Sequence, residues 1–234
     1  MSASTTTNTQ INLLEEVEPA KERMFKFGAD ALSNAELLSL LLRTGTREHS
    51  ATALALQLLK SSDGSLSKLL FRSPQELAET TGVGPAKAAT LAAVLELARR
   101  VAREQMEQKT MLDNPDSVRE YLGLTLRGLE YEAFVVLFLN SQHRLIAAET
   151  MFKGTLNQTA VYPREVLKRA LQLNAAAVII SHNHPSGYAE PSDPDLSLTR
   201  TLQVVLGQVD IRVLDHIIVA GNQQYSFSQH GLLL

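Results

Sequence analysis

The sequence predicts an α+β chain, all-helical in its N-terminal part and a mixed sheet flanked by helices thereafter. Three observations carry that expectation. Helix start signals follow one another through roughly the first hundred residues. Beyond them, short apolar runs alternate with helical segments, the order that builds a sheet with helices on both faces. Finally, the run Ala175 to Ile180 leads into Ser181-His182-Asn183-His184-Pro185-Ser186-Gly187 and on through Pro191-Ser192-Asp193-Pro194-Asp195. This last stretch organises the chain.

Residues 1–20 are polar and read as a flexible tail, and residues 21–110 as a helical domain. Ser33-Asn34-Ala35-Glu36 is a capping box that opens a helix through Leu42, expected to stop at Thr44-Gly45. A second helix fits Ala51 to Leu59, with Ser61-Ser62-Asp63-Gly64 as its turn. Ser73-Pro74-Gln75-Glu76 starts another helix, expected to end at Thr81. Gly82-Val83-Gly84 follows, and Pro85 begins a long helix to about Gln108. Helix, Gly-hydrophobic-Gly, helix resembles a helix-hairpin-helix motif. In that motif the glycines let backbone N–H groups approach a DNA phosphate beside a helix N-terminus, without reading sequence. Gly82, Val83, Gly84 and Lys87 are therefore the candidate DNA contacts. The competing reading is a tight interhelical turn. Roughly 13 basic residues face 13 acidic ones up to Thr110, a neutral balance where dedicated DNA binders are basic.

The polar segment Gln105 to Asp116, containing Asn114-Pro115, marks the domain boundary, and residues 112–234 form the second domain. Ala133 to Leu139 reads as a buried strand, Asn140 to His143 as a turn and Arg144 to Phe152 as its partner. A helix begins at Pro163; after the histidine strand, Asp195 opens another through Leu206. Ile211 to Val219 is a further strand, and Gln224 to Phe227 an edge strand. No apolar run approaches the ~20 residues that span a bilayer, and no secretory signal is visible, so a cytoplasmic protein is expected. The chain has no cysteine, which excludes disulfides and thiolate metal sites. Its net charge of -3 argues against a surface dedicated to nucleic acid.

Two histidines two residues apart on a strand point to the same side and can converge on one point. Two imidazoles and one carboxylate, with no fourth protein ligand, describe a catalytic zinc site whose last position is left to water. On the residues alone, Asp193 reads equally as a helix N-cap ahead of Pro194, and Asp195 as an acid favoured by the helix dipole. Asp215-His216, in an otherwise apolar strand, is a core pair or support for a ligand. No His-Glu-x-x-His, Pro-Cys-x-x-Cys or phosphate-binding loop is present, which excludes zincin, zinc deaminase and P-loop chemistry.

His-x-His, seven residues, Ser, two residues, Asp resembles the JAMM signature of MPN-domain metalloproteases. The wording His-Asn-His-Pro-Ser-Gly is that of its RadC-like branch. The resemblance implies a three-layer α/β/α MPN domain and one Zn2+ per chain, held by His182, His184 and Asp195 rather than Asp193. It implies Glu132, just before the first core strand, as general base, with Glu130 as its rival, and Ser192 as the hydroxyl that steadies the oxyanion. The competing reading of Ser192 is a cap of the Asp195 helix, and the two roles need not exclude each other. The implied activity is hydrolysis of a peptide or isopeptide bond in an unidentified substrate. Eukaryotic relatives cut ubiquitin chains, a substrate that does not carry over to this branch. The alternative is a DNA-binding repair or recombination accessory protein whose metal site is structural or vestigial. A loop from Phe152 to Tyr162 is long enough to cover the site.

Overall fold

A computed structural model describes residues 19–108, 110, 114–154 and 161–233. The flexible tail expected over 1–20 lies almost wholly outside these residues, as do 155–160 of the expected covering loop. By its internal contacts the chain divides into two compact units, Met1–Ser61 and Ser62–Leu234. The compositional boundary near residue 110 falls inside the second.

The first unit holds helices α1 (Ala20–Phe27), α2 (Asn34–Leu42) and α3 (Ala51–Lys60). The capping box at the start of α2 forms as its sequence requires, Ser33 and Glu36 satisfying each other's backbone N–H. Arg23 of α1 pairs with that same Glu36 and donates to the Ala31 carbonyl, so one carboxylate serves both the cap and the neighbouring helix. Leu38, Leu42, Leu54, Ala55 and Leu58 are buried.

The second unit begins with α4 (Leu66–Leu70), α5 (Pro74–Glu79), α6 (Gly84–Gln108) and α7 (Pro115–Leu126). The last of these begins at the end of the polar segment, Gln105 to Asp116, that reads from composition as the domain boundary. Asn114-Pro115 is a helix start, with proline in the first turn, where its missing N–H costs nothing. Val118, Leu122 and Leu126 then repeat every four residues and bury one stripe.

Five strands form one sheet in the order β2-β1-β3-β4-β5. They are β1 (Ala133–Leu139), β2 (Leu145–Lys153), β3 (Ala177–Asn183), β4 (Arg212–Ala220) and β5 (Gln223–Ser226). Only β3 and β4 run parallel; the other neighbouring pairs are antiparallel. The sheet is therefore mixed. Two further helices, α8 (Pro163–Gln172) and α9 (Asp193–Gly207), complete the unit.

Both faces of the sheet are buried, and the alternation of strand side chains sorts the core in two. Ala133, Val135, Leu137 and Leu139 of β1 pack with Val118, Leu122 and Leu126 of α7 and with Met106 of α6. Phe134, Val136 and Phe138 point the other way, to Val166 and Ala170 of α8 and Leu202 and Leu206 of α9. In β3, Ala177 and Ile179 belong to the first cluster, Val178 and Ile180 to the second. Extending the same parity sends His182 toward α9 and Asn183 toward α7.

Strand β4 carries one irregularity that matters for the site. Val178 pairs with Val213 and Ile179 with Asp215, so Leu214 is an extra residue, a β-bulge. Beyond it Ile180 pairs with His216, which places His216 on the same face as His182.

Candidate metal centre

Strand β3 ends in the ligand loop because its apolar run stops at Ile180 and polar residues continue the ladder. Ser181, His182 and Asn183 are nonetheless buried, so each of their side chains needs a partner. Ser181 Oγ donates to the Ile217 carbonyl at 2.6 Å. The Asn183 side chain makes three bonds: its Oδ1 accepts from Ala133 N–H at 2.8 Å, and its Nδ2 donates to the carbonyls of Leu129 (3.3 Å) and Tyr131 (2.9 Å). Asn183 thus ties down the segment that leads into β1, and with it Glu132.

Asp195 is delivered by the first turn of α9. Ser192 is the N-cap and Asp195 the third helical residue, and the two form a capping box. Ser192 N–H and Oγ–H both donate to Asp195 Oδ2, at 2.8 and 2.6 Å. The Asp195 N–H donates back to Ser192 Oγ at 3.3 Å. Asp193, which reads from sequence as an N-cap, occupies the first helical position instead, because the serine before it takes the cap.

His182, His184 and Asp195 come together, with one potential ligand atom from each lying within 4.8 Å of the others. His182 Nε2 is 2.9 Å from His184 Nε2 and 3.1 Å from Asp195 Oδ1, while His184 Nε2 is 3.4 Å from Asp195 Oδ2. The opposite nitrogens are engaged elsewhere. His184 Nδ1 donates to the Tyr188 carbonyl at 2.7 Å, so in the neutral ring its Nε2 carries only a lone pair. His182 Nδ1 lies 2.8 Å from His216 Nε2.

Electrostatics follow from this crowding. Burial alone would raise the Asp195 carboxyl, but the hydrogen bonds from His182 and His184 outweigh it and hold it far below the ordinary carboxylate range. His184 is raised, chiefly by its bond to Asp195 and against desolvation, with the Tyr188 carbonyl and the charge of Glu132 adding to the effect. His216 is driven well below the usual histidine value by burial, so it stands neutral. Two imidazole nitrogens and a carboxylate oxygen converge on one point, the two Nε2 atoms 2.9 Å apart. That arrangement asks for a cation between them, whether protons or a metal, and a set of two imidazoles and one carboxylate suits zinc.

Glu132 immediately precedes β1, where Phe134 pairs with His182. Carrying that antiparallel register back two residues sets Glu132 opposite His184, and its charge is felt there. Its carbonyl accepts from Gly154 N–H at 2.8 Å. Glu130 is exposed and lies farther along the same segment, beside a cavity of about 340 Å3 whose walls include Lys68, Arg127, His184 and Gly187. Arg164, an oddly placed cation at the start of α8, is exposed, sits 3.4 Å from Glu165 and lies over the Tyr162 ring. His143 lies in a turn within 2.7 Å of Arg212.

The glycine turn ahead of α6 is formed by Gly82 at φ 87° and Gly84 at φ 61°, both in the left-handed region that favours glycine. Val83 between them is buried. Lys87 Nζ donates to the Gly82 carbonyl at 3.0 Å, so its ammonium is folded onto the turn.

Sequence reasoning leaves Thr199 unassigned, because it carries no motif and its role becomes visible only through its hydrogen bonds. Asn183, which by strand alternation points away from the histidines and reads as fastening their loop, fastens instead the residues before β1, some fifty positions away in sequence. Among the described residues, no helix is long and apolar enough to cross a membrane.

Comparison with known proteins agrees with the geometry. Residues 112–232 match the family model described as a RadC-like JAB domain, and residues 11–89 match that of the UPF0758 N-terminal region. A UPF0758 protein of Leptothrix cholodnii is 53% identical over 213 residues, covering 91% of this chain and 96% of that protein. Relatives from Polaromonas sp. and Nitrosomonas europaea are each 50% identical, covering 95% and 93% of this chain and 98% and 97% of their own. None of these names specifies a reaction, although JAB domains are often hydrolytic. The chain belongs to the UPF0758 family and carries a RadC-like domain of the JAB/MPN class.

Proposed function

We propose that the protein is a zinc-dependent hydrolase of the JAMM metallopeptidase type, cleaving a peptide or isopeptide bond. The observation that carries this reading is the convergence of His182 Nε2, His184 Nε2 and the Asp195 carboxylate within 4.8 Å, with the Nδ1 atom of each imidazole engaged elsewhere. Bound there, zinc would polarise the scissile carbonyl and lower the pKa of the attacking water.

The rest falls to the chain's own residues. His182, His184 and Asp195 hold the ion. The Glu132 carboxylate takes the proton of the nucleophilic water and returns it to the leaving amine. Asn183 keeps that carboxylate in place by fixing the backbone on either side of it. Ser192 orients Asp195 through the capping box; the oxyanion role that the family resemblance implies requires its hydroxyl to turn away from Oδ2. The cavity beside His184 offers room for a segment of peptide.

Elemental analysis of protein purified without added metal, beside His182→Ala/His184→Ala, tests the reading. About one zinc per chain, lost in the double variant while the fold survives, supports it. Little metal in either protein, even after zinc is offered, would sink it.

A second reading rests on the Gly82–Gly84 turn at the head of α6: a DNA-binding accessory protein using the hairpin. Its signature is a salt-dependent affinity for duplex DNA, lost on changing Gly84 or Lys87 and indifferent to Glu132. The neutral charge balance and the engagement of Lys87 with Gly82 weigh against it.

A further inference from the structure

His216 is fully buried in β4, ionisable, and not a member of the ligand set. Among the described residues its ring nitrogens meet only Thr199 and His182, with no carboxylate to compensate a buried charge, so the ring is neutral and donor and acceptor counting fixes the rest. Thr199 Oγ1 donates to the Asp195 carbonyl at 2.6 Å, and a carbonyl can only accept. The same Thr199 oxygen lies 2.6 Å from His216 Nδ1. Having given its proton to the carbonyl, the hydroxyl must accept from the ring, so His216 carries its proton on Nδ1. A neutral imidazole protonated on Nδ1 is bare on Nε2. That bare nitrogen faces His182 Nδ1 at 2.8 Å, so His182 must donate. Its own Nε2 is then left without a proton, aimed at His184 and Asp195.

We propose that His216 is a positioning residue for the metal centre. Neutral and protonated on Nδ1, it fixes His182 as the Nδ1–H tautomer and keeps His182 Nε2 open to the ion. Together with Thr199 it also links the two elements that supply ligands. One uninterrupted run of hydrogen bonds joins the His182 ring on β3 to the backbone of Asp195 on α9. The usual partner behind a metal-bound histidine is a carboxylate, a carbonyl or water. A second imidazole does the same work without adding negative charge. The ring is further clamped by Phe227, stacked on it with centroids 4.5 Å apart, and by the edge of Phe134. Rotation that would reverse the hydrogen-bond order is therefore blocked.

The proposal rests on the metal-site reading above for its purpose, but its test need not. In full-length protein labelled with 15N-histidine, metal-free and in alkaline buffer, ring-nitrogen NMR reads each tautomer directly. His182 and His216 are both expected as Nδ1–H with a bare Nε2. Zinc affinity, measured by competition with a chromophoric chelator, is expected to fall about 10- to 100-fold in His216→Leu. In His216→Gln it should stay within about threefold, because an amide offers one acceptor and a donor as the neutral ring does. Finding His182 as the Nε2–H tautomer in the metal-free protein overturns the proposal, and so does unchanged zinc affinity in His216→Leu. Should that variant fail to fold, Thr199→Val decides. This near-isostere removes the acceptor for His216 Nδ1–H, and a wild-type tautomer and wild-type zinc affinity would refute the proposal. If the wild-type protein binds no zinc, the proposed function falls, while the tautomers still test the hydrogen-bond order.

Discussion

Two junctions in the second unit have the same outline, a loop feeding into a helix N-terminus: Gly82-Val83-Gly84 into α6 and Pro191-Ser192 into α9. Their polar groups are directed oppositely. At the first, the lysine on the helix turns back to a carbonyl of the loop and the hydrophobic residue between the glycines is buried. At the second, the carboxylate is held from behind by the cap and pushed toward two imidazoles. The first junction spends its charged group inside itself. The second leaves compatible groups facing one another and uses other residues to keep them there.

That contrast can be broken or sharpened by experiment. Glu132→Gln is expected to have the largest effect, a loss of about 10²- to 10⁴-fold in hydrolysis with zinc content unchanged. Equal activity in the two proteins would remove Glu132 from the chemistry. Asn183→Ala leaves Ala133 N–H and two carbonyls short of partners. It should cost about 1–3 kcal/mol in a denaturant titration and lower turnover more than zinc affinity.

Zinc affinity should also depend on pH in a definite direction. His184 must give up the proton that Asp195 stabilises on it, and that proton is held to a pH above the ordinary value of 6.5. Affinity is therefore expected to keep rising as pH increases above 6.5 and to level off once that proton is lost, roughly tenfold per unit on the steep part. A flat profile would mean that no proton leaves on binding. Ser192→Ala removes the cap and should cost about 0.5–2 kcal/mol of stability, with weaker zinc binding because Asp195 loses its brace. Smallest of all, Lys87→Met should change thermal stability little and leave zinc binding untouched. A large, salt-sensitive loss of DNA affinity in that variant would overturn the view of this junction as a packing turn.

Much of this was legible in the sequence where a local rule coincides with the tertiary answer. Strand β1 is buried on both faces, so its seven apolar residues state its nature outright. Ser33, Ser73 and Ser192 each cap a helix with a carboxylate three residues on, a signal that needs no tertiary context. Helix α7 had no reading from the sequence, because Asp116, Arg119 and Glu120 make its outer face polar and the apolar stripe at 118, 122 and 126 is sparse. The five-residue α4 is too short to show a period. His216 was visible as a polar residue in an apolar strand, but its role depends on which side of β4 it occupies, and simple alternation does not give that.

The bulge at Leu214 decides it. Residues 212–213 and 215–220 obey opposite odd-and-even assignments, so the strand contains a phase slip in an otherwise strict two-residue rhythm. Were Leu214 threaded into the ladder without the slip, Asp215 would stand beside Ile180, and an acid would occupy the place where a neutral imidazole now meets His182. Deleting Leu214 outright, by contrast, preserves every pairing from Asp215 onward. Chain length at this one position can therefore vary without changing the partner of His182, whereas a single residue inserted between Asp215 and His216 would put the wrong side chain behind that imidazole.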